Sequence, residues 1–255
     1  MLLHAEITPP TGGTTDGASE KDAASIVLLH GLMGSTESWH DVVPHLAASG
    51  WRVIAIDLPG HGRSPRDPEL TVARAAASVV QTVRAHTARP PFAALGHSYG
   101  GTVLAAAAPA LEPRLAVFID SALAFAGHAD RASLTAQYVA DAGARTVARL
   151  RERPGYSAAS AEREARAARL FDPATSASIS CGADVDEHPP PGSIAVIADP
   201  SRFVPPAAVS RWQAADVEVR RIPGAAHTPW YGRLDDFVAA LPEVFDPRPP
   251  GYPGQ

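Results

Sequence analysis

The sequence predicts an α/β protein in which a mostly parallel sheet is covered on both faces by helices. Short apolar runs alternate with segments of helical periodicity, and continuous apolar runs are typical of strands buried on both faces. Regular alternation of strands and helices favours parallel pairing. The length of 255 residues fits one large domain, or one domain that carries an inserted subdomain.

The first half of the chain contains four predicted central strands and the segments that connect them. Residues 2–8 are compatible with an edge strand, and residues 9–22 are rich in turn-forming residues. Apolar strands are predicted at residues 25–31, 51–57, 92–96 and 115–120, and helical spacing occurs at residues 35–49, 69–86 and 99–111.

The strand pattern stops after residue 120. Residues 121–191 show helical patterns rich in Ala and Arg, with no strong strand signal, and are too long for a simple crossover. We therefore expect a helical lid at 121–191, inserted into a core formed by residues 1–120 and 192–255. In the second part of the core we predict a strand at 193–199, a helix at 206–215, an alternating strand at 216–222, a final helix at 235–245 and an irregular tail.

Composition narrows the classes of partner. The net charge is −5 and no basic cluster is long enough to suggest a phosphate-binding surface, so we expect no nucleic-acid partner. No uninterrupted apolar run reaches membrane-spanning length, and the N-terminus has no signal-peptide pattern. Cys181 is the only cysteine, which excludes an internal disulfide. We expect a cytoplasmic protein without a membrane partner; the sequence does not decide between monomer and homodimer.

The segment "GHSYGG" (96–101) places Ser98 between glycines where a predicted strand becomes a helix. A serine hydroxyl needs a base to take its proton and donors to hold the oxyanion that forms at the attacked carbonyl. A sharp strand-to-helix turn lifts the serine above the sheet edge, and small residues at Gly96 and Gly100 let the turn close. The alternative is a tight turn with a capping serine. We interpret Ser98 as a nucleophile, with the amide of Tyr99 as one oxyanion donor.

Two earlier loops contribute to the same edge of the predicted sheet. In "LLHGLMGS" (28–35) the amide of Leu32 is available as the second oxyanion donor. His30 precedes it, and we expect this histidine to brace the loop rather than act as a base. In "DLPGHGRS" (57–64) we expect His61 to pack within the loop.

Together with "GAAHTPW" (224–230), these motifs resemble the α/β-hydrolase superfamily in order and over about residues 24–245. The resemblance implies the α/β-hydrolase fold, with Ser98 on a nucleophile elbow. It also implies a catalytic histidine on the loop after the last strand, the position of His227. The order in the superfamily is nucleophile, acid, histidine.

Two aspartates satisfy that order. Asp199 ends the strand where many members carry their acid, but the usual pattern places it four residues before a proline, where this chain has Ser201 or Arg202. Asp120 ends the strand before the lid, an arrangement that resembles a branch of small esterases. We favour Asp120 as the triad acid and keep Asp199 as the alternative.

A serine at the elbow argues against epoxide hydrolases and most dehalogenases, whose members carry aspartate there. The resemblance implies hydrolysis of a small-molecule carboxylic ester, or a related lactone or thioester, through an acyl-enzyme, with no cofactor and no metal. The same triad is used for carbon–carbon bond hydrolysis, perhydrolysis and some cyclase or lyase steps. A non-catalytic binder on this fold is a further alternative, since the fold alone does not fix the reaction.

Overall fold

The computed structural model describes residues 1–11, 21 and 23–246. The tail expected at residues 246–255, apart from Asp246, and most of the loop expected at 9–22 lie outside these residues. Nine strands occur in the part of the chain that is described: Ala5–Thr8 (β1), Ser25–Leu29 (β2), Arg52–Ile56 (β3), Ala93–His97 (β4), Leu115–Ile119 (β5), Ala124–Phe125 (β6), Val185–Asp186 (β7), Ile194–Asp199 (β8) and Glu218–Pro223 (β9).

Seven of these strands form one sheet in the order β1-β3-β2-β4-β5-β8-β9. Only β1, at one edge, runs antiparallel to its neighbour; every other pairing is parallel. Every residue of β2, β3 and β4 is buried, as expected for central strands covered on both faces. The predicted mostly parallel sheet is confirmed, and its parallel strands end at a common edge.

Helices connect the strands and cover the sheet. A short 3-10 helix spans Thr36–Trp39, and the α-helices are Val43–Ala48 (α1), Val72–His86 (α2), Tyr99–Leu111 (α3), Arg131–Ala144 (α4), Val147–Arg151 (α5), Ala158–Leu170 (α6), Pro173–Cys181 (α7), Pro206–Ala214 (α8), Leu234–Ala239 (α9) and Pro242–Phe245 (α10).

The two faces of the sheet pack into two separate hydrophobic clusters. Along β2, Val27 and Leu29 belong to the cluster that includes residues of α2, α3 and α8. Ile26 and Leu28 belong to the cluster on the other face, which includes residues of α1, α9 and α10. This alternation follows from the two-residue period of a strand, and it holds the sheet edge rigidly between two helical layers.

Two predicted helices differ from those observed. Residues 35–49 form the 3-10 helix and then α1, instead of one continuous helix. Residues 235–245 are divided between α9 and α10, with the break at Leu241. Pro242 explains this break, because proline lacks the amide hydrogen needed inside a helix and restricts the residue before it.

Residues 121–191 contain α4 to α7, as the helical pattern predicts, but also a short two-stranded ribbon. In the ribbon, β6 pairs antiparallel with β7; the sequence analysis found no strand here, because two-residue strands leave no detectable alternation. Side chains cap all four helices of this segment by accepting from the backbone amide three residues later. The capping residues are Asp130, Thr146, Ser157 and Asp172.

Candidate active site

Ser98 lies in the turn between β4 and α3, with backbone angles φ 51° and ψ −119°. A positive φ is strained for a residue with a side chain and persists only where surrounding structure enforces it. Close backbone packing around the two elbow glycines holds Ser98 in this conformation. A Cβ on Gly96 would lie 2.6 Å from the Gly100 carbonyl oxygen, and one on Gly100 would overlap the carbonyl oxygens of Leu29 and His30. The backbone therefore closes tightly beneath Ser98.

The structure brings Ser98, His227 and Asp120 together. The Ser98 Oγ lies 3.0 Å from Nε2 of His227, and Nδ1 of the same ring lies 2.7 Å from Oδ2 of Asp120. An ionised carboxylate only accepts, so Nδ1–H is the donor to Asp120, and Nε2 is free to accept from the serine hydroxyl. This is the geometry that general-base activation of a serine requires.

Asp120 is held firmly between two central strands. It directly follows β5 and is 1% exposed, its amide donates to the Val196 carbonyl at 2.8 Å, and its Oδ1 accepts from the Ala198 amide at 3.2 Å. Like Ser98, it has a positive φ, 43°. A buried carboxylate with an imidazole on one oxygen and an amide on the other is fixed in orientation.

Asp199 lies elsewhere. Its side chain is 44% exposed, and its nearest charged partner is Arg221, at 3.9 Å. No hydrogen bond joins it to His227 within the described part of the chain. Of the two aspartates left open by the sequence, Asp120 is therefore the one in position to orient the imidazole.

The loop after β2 lies against the elbow. A Cβ on Gly31 would lie 2.8 Å from Nδ1 of His97 and 3.2 Å from the Ser98 Cβ, so this loop and the serine are in close contact. Among the described residues, the amides of Leu32 and Tyr99 have no hydrogen-bond acceptor. Both residues line cavities next to Ser98, so two backbone N–H groups without an acceptor lie beside the nucleophile.

His97, directly before the nucleophile, contacts the histidine loop. Its Nε2 donates to the carbonyl oxygen of His227 at 2.8 Å, and the two rings lie 4.8 Å apart. Burial lowers the pKa of His97 well below its usual value, and proximity to His227 lowers it further. A neutral His97 thus ties the backbone of His227 to the elbow.

His30 and His61 are buried supports. His30 donates from Nδ1 to the Gly31 carbonyl at 2.8 Å and accepts from the Leu58 amide at 3.0 Å, which braces the loop that carries Leu32. His61 contacts the Pro59 carbonyl at 3.0 Å. Burial, with a smaller contribution from His30, lowers the pKa of His61 to about 3, so this side chain is neutral at ordinary pH.

Two cavities meet at Ser98. The first, of about 430 Å³, is lined in part by Arg145, Arg153, Tyr156 and His227. The second, of about 310 Å³, is lined by neutral residues only, including Tyr99, Phe125, Tyr138 and Ile179. Both volumes are in or near the range of small-molecule sites, and the insert contributes side chains to each.

The sequence analysis missed the charged lining of the first cavity. Glu164 of α6 is buried and accepts from Ser38 Oγ at 2.7 Å, Tyr231 OH at 2.9 Å and Arg145 at 2.5 Å. This carboxylate therefore joins the insert to the 3-10 helix and to the loop before α9. Neither Arg145 nor Glu164 stands in a recognisable motif, because their pairing depends on how α4 and α6 dock; only the turn "RPGY" (153–156) hints at a special loop.

Phe203 is a second residue that sequence reasoning did not single out. Its ring stacks on that of His227, with 3.8 Å between the centroids, although the phenyl group is 43% exposed. The phenyl ring therefore covers one face of the imidazole. It lies in the loop "ADPSRFVPP" (198–206), where the family acid was considered.

Among the residues that the structure describes, no three His, Cys, Asp or Glu side chains are grouped as a metal site would need. Over the same residues, no helix combines the length and apolar character needed to cross a bilayer.

The fold and the serine elbow are those of an α/β hydrolase, and comparison with known sequences agrees. A sequence model of the α/β-hydrolase fold matches residues 24–155, just over half of the chain. The chain belongs to the α/β-hydrolase family.

Relatives within that family differ in their named reactions. A pimeloyl-[acyl-carrier protein] methyl ester esterase of Edwardsiella ictaluri is 32% identical over an alignment of 263 positions, gaps included, that covers 92% of this chain and 96% of that protein. An epoxide hydrolase B of Mycobacterium tuberculosis is 33% identical over 91 residues, 34% of this chain and 25% of that protein. The match with this second relative therefore spans only a quarter of its length.

An esterase from Rhodococcus sp. ECU1013 has a similar structure, with a TM-score of 0.70, and the alignment covers 94% of this chain and 93% of that one. Its sequence identity is 19%, so the likeness concerns the fold alone. These comparisons support a hydrolase and do not by themselves assign a substrate.

Proposed function

We propose that this protein is a serine hydrolase that cleaves a small-molecule carboxylic ester through an acyl-enzyme. The observation that carries the proposal is the hydrogen-bonded chain from Ser98 through His227 to Asp120. Such a chain gives a serine hydroxyl the base it lacks and gives the base a fixed tautomer. The catalytic acid in this proposal is Asp120, and Asp199 has no role in the triad.

In the acylation step, Nε2 of His227 takes the proton of Ser98 while Oγ attacks the ester carbonyl carbon. The amides of Leu32 and Tyr99 stabilise the tetrahedral oxyanion, which is the step where fixed donors contribute most. Asp120 stabilises the imidazolium without taking its proton. The imidazolium then protonates the leaving alcohol, and the carbon–oxygen bond breaks to give the acyl-enzyme.

In the deacylation step, a water molecule takes the place of the alcohol. His227 removes its proton, the resulting oxyanion uses the same two amides, and the proton returns to Ser98 as the acid product leaves. Phe203 stacks on the imidazole through both steps. All groups in this scheme are side chains or amides of the chain itself, and no cofactor or metal enters it.

Residues 121–191 are proposed to act as a lid over this edge of the sheet. The support is that Tyr138, Arg145 and Tyr156, all from this segment, line the cavities at Ser98. A helical insert that supplies part of the lining of both cavities would set substrate preference, while the core keeps the reacting atoms in place.

The ester assignment is favoured over other reactions of the fold by two observations. The relative that matches almost the whole chain is named as a methyl ester esterase. Position 98 is serine, whereas the resemblance places aspartate at this position in epoxide hydrolases. Lactone and thioester hydrolysis use the same attack on a carbonyl and are the nearest alternatives.

A fluorophosphonate probe combined with a substrate panel tests the proposal. We expect the probe to label Ser98, located by mass spectrometry, and p-nitrophenyl esters of short acids to be hydrolysed faster than lactones or thioesters. Labelling with turnover confined to lactones or thioesters would revise the substrate class. Absence of labelling in folded protein would contradict the acyl-enzyme itself and favour a binder.

A further inference from the structure

The two cavities at Ser98 differ in charge. Arg145, Arg153 and Glu164 line the first cavity, whereas no ionisable carboxylate or basic side chain lines the second. A substrate that spans Ser98 therefore places one arm among charged groups and the other among apolar and hydroxyl groups. The chemistry of each arm can be inferred by separating the charges in the lining that are already neutralised from those that are not.

Glu164 leaves no unbalanced negative charge in the first cavity. Its two oxygens accept from Ser38, Tyr231 and Arg145, and its side chain is only 7% exposed. The side chain of Arg145 is 14% exposed, so its ion pair with Glu164 cancels within the wall of the cavity.

Arg153 adds a full positive charge to the same cavity. It is exposed, in the loop between α5 and α6, and it forms no ion pair with any residue that the structure describes. The positive charge of Arg153 acts on the Tyr156 phenol and, with that of Arg145, counters part of the rise in the pKa of Tyr156 that burial causes. The lining of the cavity thus carries one ion pair that cancels, between Arg145 and Glu164, and one guanidinium without an ion-pair partner among the described residues, that of Arg153. This combination suits an anion.

The position of His227 assigns the arms of the substrate. His227 lines the first cavity and not the second. Because its Nε2 must protonate the departing oxygen, the leaving alcohol lies on the side of the first cavity. The acyl chain then extends into the second cavity, beside Tyr99, Phe125 and Ile179.

We propose that the substrates are esters of carboxylate-bearing alcohols, such as simple hydroxy acids, with a short apolar acyl chain. Arg153 binds the carboxylate of the leaving group. This inference rests on the proposed ester hydrolysis. In the reaction, the Ser98 Oγ–carbon bond forms, the carbon–alkoxide bond breaks, and the serine proton passes through His227 to the hydroxy acid; water then releases the acyl group as its acid.

Two isomeric esters separate the two arms. Carboxymethyl butanoate has its carboxylate in the leaving group, monoethyl succinate has it in the acyl group, and propyl butanoate is a neutral reference. We expect kcat/KM for carboxymethyl butanoate to exceed that of both others by about tenfold to a hundredfold, the effect of a charge-assisted hydrogen bond. The preference over propyl butanoate weakens with added salt.

Arg153→Gln tests the charge directly, with Arg149→Gln on α5 as the matched exposed control that does not line the cavity. We expect Arg153→Gln to abolish the preference mainly through a higher KM, Arg153→Lys to restore part of it, and Arg149→Gln to leave it unchanged. Fluorophosphonate labelling of Ser98 is measured in each variant.

Three results would overturn the inference while labelling persists: a preference for propyl butanoate, a preference for monoethyl succinate, or an unchanged preference in Arg153→Gln. Loss of labelling in the wild-type protein would instead remove the proposed hydrolase and this inference with it.

Discussion

The Nδ1 atom of His227 and the Oδ2 atom of Asp120 lie 2.7 Å apart, although 107 positions separate the two residues in the chain. The contact forms because β5 and β8 are neighbours in the sheet and the loop after β9 returns over their ends. The aspartate at the end of β5, rather than the one at the end of β8, is thus placed against the histidine on that loop.

Asn substitution of the two candidate acids is the first prediction. We expect Asp120→Asn to lower kcat by at least about a hundredfold and Asp199→Asn by less than about tenfold, because only Asp120 orients the imidazole. The measurement is turnover of p-nitrophenyl butanoate by proteins of equal thermal stability. The reverse ranking would move the triad to Asp199.

The elbow glycines give a second prediction. A Cβ on Gly100 would overlap two backbone carbonyls, whereas a Cβ on Gly143, in exposed α4, would meet no atom within 4 Å. We expect Gly100→Ala to lower the free energy of unfolding by more than about 2 kcal/mol and to reduce serine labelling. Gly143→Ala should raise stability by about 0.5 to 1 kcal/mol, since alanine favours a helix.

Urea denaturation of both variants measures the difference. Equal effects of the two alanine substitutions would show that the close approach beneath Ser98 is not required.

The third prediction concerns the pH dependence of stability. The pKa of His61 falls to about 3 in the folded protein from its usual 6.5, so between these values the unfolded chain binds a proton that the folded protein excludes. Stability therefore decreases as the pH falls below about 6.5, by about 1.4 kcal/mol per pH unit from this residue.

His61→Gln should flatten that slope, and His45→Gln, at an exposed position on α1, should leave it unchanged. The free energy of unfolding, measured by urea between neutral pH and about pH 4, is the readout. An unaltered slope in His61→Gln would show that this histidine is not the group that excludes the proton.

The buried carboxylate that joins the insert to the core gives a fourth prediction. Glu164→Gln leaves the Arg145 guanidinium buried without its anion, which we expect to cost about 3 kcal/mol of stability. Glu162→Gln, exposed on the same helix, serves as the control and should change stability by less than about 0.5 kcal/mol. Similar losses of stability in both variants would show that Glu164 does not stabilise the packing of the insert against the core.

The central strands of the fold can be predicted from the sequence because each is a continuous apolar run. Strands that are buried on both faces require apolar residues at every position. The elbow is also local: Gly96, Ser98 and Gly100 lie within five residues, and the close approach of two backbones leaves no room for other side chains. Patterns of this kind can be recognised in the sequence without knowledge of the tertiary structure.

The rest depends on contacts between distant segments. The choice between Asp120 and Asp199 rests on which carboxylate faces the returning loop, and both strand ends look alike in sequence. The pairing of Arg145 with Glu164 and the stacking of Phe203 on His227 depend on how the insert and one loop dock, which no periodicity encodes. The break before Pro242 was readable in principle from the proline itself.

The most direct test of the central claim is the turnover of p-nitrophenyl butanoate by Ser98→Ala, compared with the wild-type protein and with Ser210→Ala at an exposed position on α8. We predict that Ser98→Ala unfolds with the same free energy as the wild type and loses about a thousandfold or more of its turnover, while Ser210→Ala keeps its turnover. Near-normal turnover by a well-folded Ser98→Ala protein would contradict the acyl-enzyme and with it the proposed function.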